Sequence, residues 1–127
     1  FVDDEEDIVL MRTRMLSYLG YRVLPATGPE QALSLFADNR GRIDLLITDH
    51  TMPRMTGLQL ATAISAGRPE LPIILCSGYS EAVSPEEAEQ AGVRRFLAKP
   101  VDMRMLAIAI RELLPERNRG EDEDTGH

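Results

Sequence analysis

The stretch Ile43-Asp44-Leu45-Leu46-Ile47-Thr48-Asp49 runs almost without a polar break and then ends on a carboxylate. A strand covered by helices on both faces is apolar without alternation, whereas a half-exposed strand alternates. These residues therefore predict an interior strand of a parallel α/β sheet. The next residues, His50-Thr51-Met52-Pro53-Arg54-Met55-Thr56-Gly57, supply turn chemistry before another helix. In open α/β sheets the functional crevice lies beyond the carboxyl ends of the strands, which is where Asp49 stands. On this stretch alone, a turn or helix-capping aspartate explains it equally well.

Working outward, Phe1-Val2 reads as the end of a first strand. The chain opens without an initiator methionine and passes at once into Asp3-Asp4-Glu5-Glu6-Asp7, so that strand is expected to be cut close to its end, as in an excised fragment. The acids suit a loop and a first helical turn, where carboxylates complement the helix dipole. Ile8, Met11, Met15 and Leu19 recur at helical spacing, and Gly20 supplies the stop. Tyr21-Arg22-Val23-Leu24 reads as strand two, and Thr27-Gly28-Pro29-Glu30 as a capping box opening helix two, with its stripe at Ala32, Leu33 and Phe36.

Beyond the central stretch, Leu58, Ala61 and Ile64 mark helix three, which stops near Gly67. Pro72-Ile73-Ile74-Leu75-Cys76-Ser77 is strand four, and Ser84-Pro85-Glu86-Glu87 caps a short helix four that ends by Gly92. Val93 to Ala98 is strand five, followed by Lys99-Pro100. Asp102 caps helix five, which carries Leu106, Ala109, Ile110 and Leu113 before Pro115. Five strands alternating with five helices imply a doubly wound parallel sheet, because right-handed crossovers leave few other packings.

The 127 residues suffice for one core. Net charge is −7; the tail from Pro115 holds five acids and two arginines, which leaves −4 on the body. An acidic body disfavours direct contact with nucleic acid or an anionic membrane surface. The lone Cys76 cannot form an internal disulfide, no apolar run approaches a membrane span, and no signal peptide is seen. A cytoplasmic location is the expectation.

Four strands end on useful groups: Asp3 and Asp4, Asp49, Ser77 and Lys99. Singly, the acids suit a helix start, Ser77 a turn and Lys99 a solvated surface. In a parallel sheet they converge on one side if those strands are neighbours. The run Val2-Asp3-Asp4-Glu5, then Ile47-Thr48-Asp49 with Met52-Pro53 and Gly57, then Ser77-Gly78, then Lys99-Pro100 resembles the receiver domain of two-component response regulators, of chemotaxis type. The resemblance covers Phe1 to about Leu114, so residues 1–114 are expected to form the receiver and 115–127 an acidic, flexible tail. It implies the flavodoxin-like (βα)5 fold with strand order 2-1-3-4-5.

The resemblance also implies the chemistry. Asp49 is expected to accept a phosphoryl group from a phosphohistidine, with Lys99 and the Ser77 hydroxyl on its oxygens, and with phosphorylation and dephosphorylation self-catalysed. Carboxylates held within ~4 Å repel by about 4 kcal/mol per pair at an effective dielectric of 20, so a cation is needed. Magnesium is the expected one, on Asp4, Asp49 and the backbone carbonyl of Thr51, with Asp3 acting through water. Ser77 and Phe96 occupy the switch positions. Phe96 departs from the commoner tyrosine, and the surface of helix four, strand five and helix five is the expected output.

The implied partners are a histidine kinase or a histidine phosphotransfer domain, with a receiver homodimer possible in principle. Thr48 to Pro53 and Ile74 to Glu81 resemble receivers of hybrid sensor histidine kinases, and a stand-alone single-domain regulator is the alternative origin. A haloacid dehalogenase-type phosphatase needs an acid two residues after its nucleophile, where Thr51 stands. A flavodoxin-like electron carrier needs a phosphate-cradling loop after strand one, which is missing. His50 reads as a solvent-facing loop residue, without a metal partner for it or for His127. Cys76 and the methionines read as core, and Tyr79 with Thr51 flanks the acceptor.

Overall fold

The computed structural model describes residues 1–78 and 83–114. Its core is a parallel sheet of β1 (Leu46–Asp49), β2 (Ile73–Ser77) and β3 (Val93–Ala98), in that order. Leu46 pairs with Ile73 and Asp49 with Cys76, and the β2–β3 register slips by one residue between Ile73 and Ile74. Val2 extends the sheet as a single-residue lane, bridged in parallel to Thr48 on one side and to Ala26 on the other. The lanes run Ala26, Val2, β1, β2, β3, which is the order 2-1-3-4-5 with its first two members reduced to bridges.

The helices α1 (Glu6–Tyr18), α2 (Pro29–Asn39), α3 (Gly57–Gly67), α4 (Pro85–Gln90) and α5 (Met103–Leu113) cover both faces. Alternate side chains of β1 enter opposite cores. Leu46 joins Phe36, Leu60 and Ile64 of α2 and α3, while Ile47 joins Leu16 of α1 and Leu106 and Ile110 of α5. All four residues of β1 and all five of β2 are buried, so both strands need apolar residues on each face. Leu60, Ile73, Ile74, Leu75 and Leu106 lose essentially all solvent contact. Each such burial contributes about 1.5–3 kcal/mol.

Several local expectations are corrected. The buried stripe of α1 is Val9 and Leu16, whereas Met11, Met15 and Leu19 are exposed. Apolar residues nearly encircle this helix, so more than one helical phase could be read from it. Tyr21 to Leu24 form no strand; the parallel bridge falls at Ala26, beyond Pro25. Gly28, not Thr27, caps α2, and the Thr27 amide and hydroxyl both donate to Gln31 Oε1, at 2.8 and 3.1 Å. The Ser84–Glu87 capping box and the Asp102 cap are present as expected. A further box, Thr56 with Gln59, opens α3. Residues 115–127 lie outside the described residues.

Candidate functional site

Asp49 ends β1 because the strand carries it there with its main chain pinned on both sides. Its amide donates to the Val2 carbonyl at 2.9 Å, and the next amide, His50, donates to the Cys76 carbonyl at 2.9 Å. The loop then closes through the Gly57 amide on the His50 carbonyl at 2.7 Å. Asp49 is 4% exposed. Thr51 is exposed on this loop, and Arg54, with φ +73°, turns the chain through the left-handed region.

Asp3 is buried, and its carboxylate accepts the Glu5 amide at 2.9 Å. Glu5 caps α1 without using its own side chain, so Asp3 satisfies an amide at the helix start. Asp4 is exposed. The ligand oxygens of Asp3, Asp4 and Asp49 lie within 4.8 Å of one another. Burial raises the Asp3 carboxyl above its ordinary value. The Glu5 amide opposes this, the Asp49 charge adds to it, Lys99 opposes it again, and Asp4 adds the last increment.

Lys99 enters from the end of β3, and its ammonium pairs with Asp49 Oδ1. The Lys99 amide donates to the Ser77 carbonyl at 2.9 Å, which sets the two strand ends side by side; the Lys99–Pro100 peptide is cis. Ser77 is fully buried. Asp3, Asp49 and Lys99 border a cleft of about 480 Å³ whose walls include Arg12, Cys76, Val101 and Leu106. Burial, followed by the Asp49 charge, pushes the Cys76 thiol up to about 12.

The sheet thus brings Asp3, Asp4, Asp49 and Lys99 together, with Ser77 on the adjoining strand end. Phe96 is 44% exposed on β3 and does not border this cleft. His50 is only partly exposed, and its Nδ1 is buried with no hydrogen-bond partner among the described residues, which corrects the solvent-facing reading. Tyr79 and His127 lie outside the described residues. Arg12 escaped the sequence reading. The available signal was a cation on the inward stripe, three residues after Val9 and four before Leu16, visible only once the phase of α1 is known.

The family model described as the response regulator receiver domain matches residues 1–111. The transcriptional regulatory protein GlrR of Escherichia coli is 33% identical over 122 residues, covering 96% of this chain and 27% of that protein. The sensor kinase CckA of Brucella abortus is 28% identical over 117 residues, covering 92% of this chain and 12% of that protein. The chain therefore spans about a quarter or less of the length of these relatives.

Among solved structures, a response regulator receiver domain protein of Clostridium thermocellum superposes with a TM-score of 0.84 at 30% identity, over 94% of this chain and 93% of the other. The response regulator TrrA of Thermotoga maritima, solved in complex with Mg(2+)-BeF, superposes with a TM-score of 0.78 at 30% identity, over 89% of this chain and 95% of the other.

Proposed function

Because the chain belongs to the response regulator receiver domain family, we propose that Asp49 is its phosphoacceptor, loaded from the phosphohistidine of a histidine kinase or histidine phosphotransfer domain. The observation that carries this reading is the Lys99–Asp49 ion pair set against the three clustered carboxylates. An Asp49 oxygen attacks phosphorus as the phosphorus–nitrogen bond breaks; the electron pair stays on the imidazole nitrogen, which takes up a proton. The product is an aspartyl phosphate.

The donor set is all oxygen and clustered within 4.8 Å, which fits a hard divalent cation. Asp4, Asp49 and the Thr51 carbonyl would hold magnesium, with Asp3 reaching it through water. When bound, the ion would neutralise charge on the carboxylates and on the transferring phosphoryl group. The Lys99 ammonium then pairs with phosphoryl oxygens, the Ser77 hydroxyl donates to another, and the burial of Asp49 limits access of water. Catalysis is self-contained positioning and charge neutralisation.

Phosphorylation turns the singly charged Asp49 carboxylate into an acyl phosphate of about −2, a net gain of about one negative charge together with three further acceptor oxygens. Ser77 is drawn toward them and Phe96 turns from its exposed position, altering the surface of α4, β3 and α5. Phe96→Ala should blunt the phosphorylation-dependent change in partner affinity, and equal affinity change in both proteins would count against this switch.

Residues 1–114 form the module and 115–127 a tail, in a cytoplasmic phosphorelay. The likeness to CckA favours a hybrid-kinase parent, with a stand-alone regulator as the alternative. Incubation with a small phosphodonor and magnesium, read by intact mass, should add one phosphoryl group to the wild-type chain and none to Asp49→Asn. Persistent labelling of Asp49→Asn at another residue overturns the assignment.

A further inference from the structure

We infer that Arg12 is a positioning residue for Lys99, tying α1 to the loop that delivers the lysine to Asp49. The inference rests on the phosphoacceptor reading and concerns a residue outside the acid cluster and the strand ends.

The two halves of the site come from distant parts of the chain. Asp3 and Asp4 lead directly into α1, while Lys99 leads through Pro100 and Val101 into α5. On the sheet side, Lys99 is fixed by its amide bond to the Ser77 carbonyl at 2.9 Å. On the far side, Arg12 Nη2 donates to the Val101 carbonyl at 2.8 Å, a link across 89 residues of sequence. The next anchor is the Asp102 side chain, which accepts the Arg104 amide at 2.8 Å and so belongs to α5 itself. Arg12 supplies a hydrogen bond that holds the loop to the helix following the acids, beside the apolar packing of Val101 on the cluster that includes Leu16.

The placement of Arg12 is what such a tie requires. It lies on the stripe of α1 that includes buried Val9 and Leu16, and it borders the same cleft as Asp49 and Lys99. A charged side chain on an inward stripe is retained at a desolvation cost unless its donors are used. Here a donor is spent on the main chain two residues past Lys99. A guanidinium suits this role because it is planar, permanently charged and long enough to cross from helix to loop. Loss of the tie frees residues 100 and 101, and with them the aim of the Lys99 ammonium.

The test is a double-mutant cycle on the full chain, with magnesium and a small phosphodonor at saturation. Arg12→Met keeps length and helix propensity while removing the donor. Its phosphorylation rate should fall about tenfold, as expected for a displaced positioning contact. Magnesium affinity, followed by amide NMR shifts, should not weaken, because the acids are untouched and a displaced ammonium competes less for Asp49. In a Lys99→Ala background, Arg12→Met should cause no further loss, because the residue acts through the lysine.

Independent, additive losses overturn the inference, as do parallel losses of thermal midpoint, magnesium affinity and rate. If the wild-type chain phosphorylates and Arg12→Met matches it, this inference fails and the phosphoacceptor reading stands. A wild-type chain that takes no phosphoryl group defeats the reading itself.

Discussion

Gly57 lies so close to Asp49 that a Cβ built on it would stand 2.2 Å from the Asp49 carbonyl oxygen and 2.8 Å from Leu75 Cδ1. Its φ lies outside the left-handed region, so close approach and not backbone conformation demands glycine. The nearest atom belongs to the main chain of Asp49 and cannot swing aside as a flexible side chain could.

Gly57→Ala should therefore displace the end of β1, costing about 1–3 kcal/mol as overpacking does and lowering phosphoryl incorporation at Asp49. Urea unfolding should show a lower midpoint at an unchanged m-value. Gly41→Ala, where an added Cβ meets nothing within 4 Å, is the matched control. Equal midpoints for the two variants would contradict the steric argument.

Lys99 pairs with Asp49, and a cation held on the same carboxylate would compete with it, so the proposed site gives the lysine opposite effects on two measurements. Lys99→Ala removes the ammonium paired with Asp49 Oδ1 and leaves the acid cluster more negative. Magnesium should bind the variant more tightly than wild type, while phosphoryl transfer slows by about 100-fold, the scale for loss of one preorganised donor. Calorimetric titration alongside a phosphorylation time course separates the two. Weaker magnesium binding would show that Lys99 organises the acids instead of competing with the ion.

Cys76 borders the cleft yet should be chemically silent. Burial, with the Asp49 charge beside it, pushes the thiol up to about 12, so the nucleophilic thiolate is scarce in the folded chain. Labelling by a thiol reagent at mildly alkaline pH should be slow in buffer and fast in denaturant, following global opening. Rapid labelling of the folded protein would mean that the cleft opens locally around β2.

The legible parts share one physical basis. β1 and β2 are buried on both faces, so their apolar runs stand out, and parallel strands all end on one side. Asp3, Asp4, Asp49, Ser77 and Lys99 can thus be grouped from the order of residues alone. Less legible was α1, where apolar residues nearly all around the helix hid the phase that buries Val9 and Leu16 and turns Arg12 inward. The bridge at Ala26 was missed for a different reason: a single-residue pairing leaves no run of alternating or apolar residues to read. The Arg12–Val101 bond depends on both that phase and a loop 89 residues away, which no local pattern encodes.

The raised carboxyl of Asp3 gives the metal-free chain a pH dependence of definite sign. Burial makes the folded state hold its proton more tightly than the unfolded chain, despite the opposing Glu5 amide. Between the ordinary value of 3.8 and the raised one, the folded state therefore binds more protons, and the contribution of Asp3 to stability falls as pH rises through that window. Above the window the ionised carboxylate remains a net cost until a cation offsets it. Asp3→Asn should accordingly stabilise the chelator-treated protein at neutral pH and flatten the wild-type decline. Added magnesium should narrow the gap, because wild type gains more from binding the ion. Denaturant midpoints across a pH series, with chelator and with magnesium, supply the comparison. If wild type instead gained stability relative to Asp3→Asn as pH rose without metal, the carboxylate would be stabilised in the fold by its amide and lysine neighbours, and burial would not be the dominant influence on it.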